Sequence, residues 1–93
     1  MVTVITVLKV ERKKVNDIAN QLSDVDGVTE VYSVSGRFDL VAIIRTKDND
    51  KMSDIVTNHM LKIDGILDSE TMIAFRSFSK HNLESMFSIG IEE

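Results

Sequence analysis

The sequence predicts an α+β domain of order β-α-β-β-α-β, a ferredoxin-like arrangement in which a four-stranded antiparallel sheet carries two helices on one face. Three observations predict it. Strand-like and helix-like hydrophobic periods follow one another in that order along the 93 residues. Both helix-like runs end in Asp-Gly and then an apolar strand, "VDGVTEVYSV" and "IDGILDSETM", so two β-α-β halves echo one another. The chain has no proline, so no strand interior is interrupted by a residue that cannot donate to the ladder.

Residues 2–10 are rich in Val, Ile and Thr, which suit a pleated surface. They are apolar on both sides, with Val2, Val4, Leu8 and Val10 on one and Ile5 and Val7 on the other. Over residues 12–25 the period changes: Val15, Ile18, Ala19, Leu22 and Val25 form one helical stripe. Asp26-Gly27 ends that helix. A second strand is expected over residues 28–35 and a third over 38–46, centred on "LVAII". Lys47 to Asp50 is a polar turn in which Asp48 or Asn49 caps the second helix. Met52, Ile55, Val56, His59, Met60 and Ile63 make the stripe of that helix, and Asp64-Gly65 closes it. The fourth strand is expected within residues 66–79, best formed over 71–78.

Strands one and three are apolar on both faces, although two helices cover only one. In strand three Val41 and Ile43 oppose Leu40, Ala42 and Ile44. An uncovered apolar face of that size marks an interaction surface, so the expected unit is at least a dimer with sheets face to face. The domain is expected over residues 1–79. Residues 80–93 form an apolar tail with Leu83, Met86, Phe87, Ile89 and Ile91, expected to pack on a neighbouring subunit.

Composition narrows the function. The chain is 43% hydrophobic and 28% charged, with a net charge of −4. Its longest basic run is Arg12-Lys13-Lys14, a poor basis for neutralising phosphates. Without cysteine there is no disulfide or thiolate metal site, and the chain suits a reducing cytoplasm. The apolar N-terminus is too short to span a membrane and is unlike a signal peptide.

No constellation of catalytic groups stands out. His59 falls on the apolar stripe, where a packing role is expected, and His81 begins the tail as a solvated side chain. "DNDKMSD" superficially matches a calcium loop, but Ser53 stands where that loop needs glycine and His59 where it needs glutamate. No cofactor and no metal are expected.

The stretch "SVSGRFDLVAI" carries the sharper signal. Gly36 supplies a positive φ at the end of a strand. Asp39 sits at the edge of a strand that otherwise disfavours an acid. Two readings are open: Asp39 only accepts hydrogen bonds from turn N–H groups, or those N–H groups and the carboxylate form a bipolar site suited to a free α-amino acid.

The G-x-x-D of Gly36 to Asp39 before an apolar strand, "DGVTEVYSVSGRFDLV" and "IDGILDSETMIAF", resembles the effector domain of Lrp/AsnC transcription regulators, the RAM module. The resemblance spans residues 2 to 79. It implies a ferredoxin-like domain that pairs through its sheets, assembles further into octamer-like rings, and binds an amino acid effector at subunit contacts near the hairpin. By resemblance Gly36 and Asp39 carry over, Arg37 and Phe38 fill the variable positions, and Ser69 and Thr71 lie in a segment that helps line the pocket. Ser33 and Ser35 are nearby. Regulators of this family usually carry an N-terminal helix-turn-helix. Here the first strand begins at residue 2, so the expectation is a stand-alone form without direct nucleic-acid contact, with any effect on transcription coming through mixed assembly with a full-length regulator or through metabolite sensing elsewhere. Two alternatives are a small ferredoxin-like dimeric enzyme using His59, Asp39 or His81, and a ligand-free structural partner.

Overall fold

The computed structural model describes residues 1–78 and Lys80; the rest of the apolar tail, and its expected contact with a neighbour, lie outside them. The elements are β1 (Val2–Val10), α1 (Val15–Ser23), β2 (Val28–Ser33), β3 (Leu40–Thr46), α2 (Asn49–Asp54) and β4 (Ile66–Ile73). A single 3-10 turn, Arg12–Lys14, leads into α1, and a π-helical turn, Ile55–Met60, continues α2. The sheet has the order β2-β3-β1-β4 and is antiparallel throughout.

Burial follows the two-residue strand period. Val4, Thr6, Leu8 and Val10 of β1 and Leu40, Ala42, Ile44 and Thr46 of β3 are buried. Ile18 and Leu22 of α1 and Ile55 and Met60 after α2 close over them in one core. Both helices therefore lie on one face, as the sequence predicts. The hydroxyl of buried Thr6 is satisfied by the Thr71 hydroxyl at 3.4 Å.

The fourth strand differs from expectation. It begins directly after Gly65 and ends at Ile73, so Ala74 to Phe78 lie outside it. Pairing bounds it: the ladder runs from Val10, opposite Ile66, to Val4, opposite Ile73, and β1 itself begins at Val2, so residues beyond Phe75 would have no partner. A last bond from the Ala74 N–H to the Thr3 carbonyl, 2.9 Å, marks where the template runs out. The register shifts between Lys9 and Val10.

The two halves interlock. Gly27, after α1, sits against Ile55 of the other half, and Gly65, after the π turn, sits against Ile18 of α1. The Arg45 N–H donates to the Gly27 carbonyl and the Glu11 N–H to the Gly65 carbonyl, both at 2.9 Å. Each turn is thus tied to the end of the other half's strand.

Asp48 caps α2 through its Oδ1, which accepts from the Lys51 N–H at 2.9 Å. Beyond Asp54 the helix widens. Ile55 and Met60, five apart, both point into the core, a spacing that a π turn brings onto one face. His59 is consequently displaced from the stripe, and its side chain is 54% exposed. The expected packing role is corrected: an ordinary 3.6-residue period would bury it, and the π turn does not.

Candidate functional site

β2 and β3 are joined by a hairpin whose loop is closed by the Val34 N–H donating to the Asp39 carbonyl, 3.0 Å. Gly36 occupies it with φ of +116°, and a Cβ there would meet nothing within 4 Å. Glycine is needed for the backbone conformation and not for space. Arg37 is exposed, and its guanidinium carbon stands 5.8 Å from the centroid of the Phe38 ring. That is within reach of a cation–π contact. Phe38 and Asp39 are partly buried.

Asp39 ties the hairpin to β1. Its N–H donates to the Leu8 carbonyl at 2.8 Å. Its carboxylate Oδ2 accepts from the Val10 N–H at 2.9 Å. The β1–β3 ladder ends with Leu8 opposite Leu40, so the side chain gives Val10 the acceptor that β3 no longer supplies. The structural role seen in the sequence is present, with one change: the donor belongs to β1, not to the turn.

Ser69 and Thr71 are placed elsewhere. They lie on β4, opposite Leu8 and Thr6 of β1, which separates them from the hairpin strand. Two strand spacings, roughly 10 Å, separate β4 from β3. The Thr71 hydroxyl faces Thr6, and the Ser69 N–H donates to Oδ1 of its neighbour Asp68 at 2.9 Å. The hairpin residues Gly36, Arg37, Phe38 and Asp39 are brought together by the chain itself; Ser69 and Thr71 do not join them within one subunit.

The helix-free sheet face has an apolar centre of partly exposed Ile5, Val7, Val41 and Ile43, flanked by exposed Tyr32 and Met72. Charged Lys9, Glu30, Arg45, Asp68 and Glu70 surround it. At the end of this face remote from the hairpin lies a groove of about 650 Å³, floored by Ile5 and Ile43 and walled by Tyr32, Arg45 and Phe75. Phe75 is fully exposed. The Glu30 carboxylate accepts a hydrogen bond from the Tyr32 hydroxyl, which raises the phenol above its ordinary value. Tyr32, Glu30 and Arg45 escaped the sequence reading. Their signal was the alternation in strand two, where "TEVYS" sends Glu30 and Tyr32 to one side.

The π turn also brings His59 Nε2 to 3.5 Å from the Asp54 carboxylate, a pairing that helical spacing does not foresee. The Asn58 amide donates to the same acid at 2.7 Å. That hydrogen bond, then the nearby His59 and Lys51, hold Asp54 below its ordinary value. Both partners of the pair are about half exposed. Among the described residues no three acidic, His or Cys side chains gather as a metal site requires, and no helix is long and apolar enough to cross a membrane.

A model of the Lrp/AsnC ligand binding domain matches residues 3–83. The chain belongs to this family. The HTH-type transcriptional regulator LrpA of Pyrococcus abyssi (strain GE5 / Orsay) is 34% identical over 62 residues, which are 67% of this chain and 44% of LrpA. The chain thus spans under half the length of that regulator. The crystal structure of TTHA0845 from Thermus thermophilus matches with a TM-score of 0.80 at 34% identity, over 86% of this chain and 100% of that one. E. coli AsnC shares the fold, with a TM-score of 0.76 at 22% identity over 82% of this chain and 52% of AsnC. The Lrp/AsnC resemblance and the ferredoxin-like fold drawn from the sequence both hold. The relatives are transcriptional regulators, and this chain is a ligand-binding domain of their family.

Proposed function

We propose that this domain is a regulatory module that buries its helix-free sheet face against a second copy and takes an amino acid effector where the Gly36 to Asp39 hairpin meets a neighbouring subunit. The observation that carries the reading is that face: Ile5, Val7, Val41 and Ile43 form an apolar centre that neither helix covers. A stable pair needs about 800 Å² buried per partner, and a four-stranded sheet offers a face of that order. Ser69 and Thr71 are too far from the hairpin to serve the same small ligand in one chain. If they contribute, they come from a different subunit than the Asp39 they serve.

Assembly and binding are then coupled. An effector held between subunits stabilises their association, and association tightens the effector by the same factor. The test is light scattering on dilution together with a thermal-shift screen of the twenty amino acids. An effector at a hundredfold excess over its Kd adds about 2.7 kcal/mol, which raises Tm by roughly 11–22 °C in a domain of this size. A monomer at micromolar concentration, or a screen in which neither Tm nor assembly moves, contradicts the reading.

A further inference from the structure

We infer that Arg37 sets the charge class of the effector, so that the hairpin selects an acidic α-amino acid over a neutral one. This rests on the reading of the hairpin as the effector site. Arg37 is exposed at the tip and lies over the ring of Phe38, 5.8 Å from its centroid. Phe38 is itself partly buried, so the cation rests on an anchored surface. At 5.8 Å from the ring centroid the guanidinium is within reach of a cation–π contact, and its planar fork of N–H donors matches a carboxylate.

The charges around it leave that fork available. Among the described residues the ion pairs are those of Lys14 with Glu11 and Asp64, and of His59 with Asp54; Arg37 is in none of them. The acid nearest to it in sequence, Asp39, gives Oδ2 to the Val10 N–H. Lys9, at the same end of the sheet, is opposite Asp68 on β4. An α-amino acid brings an ammonium that suits Asp39 and a carboxylate that suits the loop N–H groups. A neutral side chain leaves Arg37 in water and gains nothing from it. A second carboxylate gives Arg37 its partner, and a basic side chain is repelled.

Calorimetric titration with L-glutamate, L-aspartate, L-methionine and L-leucine tests this on the intact chain, on Arg37→Ala and on Arg37→Glu. The exposed, weakly packed position of Arg37 favours folding of both variants, and urea unfolding checks it. A charge-assisted pair of this kind favours the acidic ligands by about tenfold. That ratio should collapse towards unity in Arg37→Ala, invert in Arg37→Glu, and shrink with added salt in the parent chain. If the parent chain prefers the neutral ligands, or if both variants keep its ratio while Asp39→Asn still weakens binding, this inference fails and the hairpin site stands. If no amino acid binds the parent chain, both fail. A solvated tip that stacks Arg37 on Phe38 for its own stability predicts equal ranking in all three proteins.

Discussion

Asp39→Ala removes the acceptor of the Val10 N–H, a bond of 2.9 Å to a carboxylate in a partly buried setting. Val10 is only 3% exposed, so water is a poor replacement. A hydrogen bond to a charged acceptor contributes roughly 1.5–3 kcal/mol, and an orphaned buried donor costs a similar amount. A loss of about 2 kcal/mol lowers Tm by roughly 8–16 °C in a domain of this length. Urea unfolding and thermal melts at one fixed protomer concentration measure it, since association adds to apparent stability. Asp39→Asn keeps an acceptor oxygen and loses the charge, so it should recover about half of the stability. It should also respond less to an amino acid, whose ammonium then faces a neutral amide. An Asp39→Ala protein within about 0.5 kcal/mol of the parent, the usual range for a surface change, refutes the tie to β1. An Asp39→Asn protein with an undiminished amino acid response leaves the tie and refutes the ligand role.

The glycines separate conformation from space. Gly65 has φ of +103°, and a Cβ there would stand 2.8 Å from Ile18 Cδ1; Gly36 has φ of +116° with open surroundings. Gly36→Ala should cost about 1–2 kcal/mol from backbone conformation alone, and Gly65→Ala clearly more; equal losses in urea unfolding contradict the packing role of Gly65. Ile43→Asp places a charge at the centre of the helix-free face. It should weaken self-association by at least about a hundredfold in sedimentation, given the several kcal/mol needed to bury an unpaired charge, and an unchanged association constant argues that this face is not the interface. The depressed Asp54 acid stabilises the fold fully above its unfolded value of 3.8, and that contribution is lost as pH falls towards its lower folded value. Asn58→Ala should move the Asp54 titration, followed by carboxyl NMR, back towards the ordinary value, and an unmoved titration shows that the Asn58 amide is not the main cause.

Much of the fold was legible because burial in a two-layer domain obeys simple periods. The alternation of Leu40, Ala42 and Ile44 with Val41 and Ile43 placed both faces of β3 correctly, and the stripe through Ile18 and Leu22 placed α1. His59 was misplaced because one widened turn shifts the period from four residues to five, and side-chain pattern alone does not mark where a helix widens. The end of β4 was misplaced because strand length is set by the partner's length, a fact about β1 and not about residues 71–78. At the hairpin, glycine at positive φ was readable from local chemistry. The donor to Asp39 was not, since Val10 lies 29 residues away and only the β1–β3 pairing brings it near.

The crossed placement of Gly27 against Ile55 and Gly65 against Ile18 has a consequence for how the chain melts. Neither β-α-β half supplies its own lock, because the side chain that seats each turn is borrowed from the opposite half. A nick in the Lys47 to Asn49 stretch should therefore leave two fragments that are each disordered alone and regain shape when mixed.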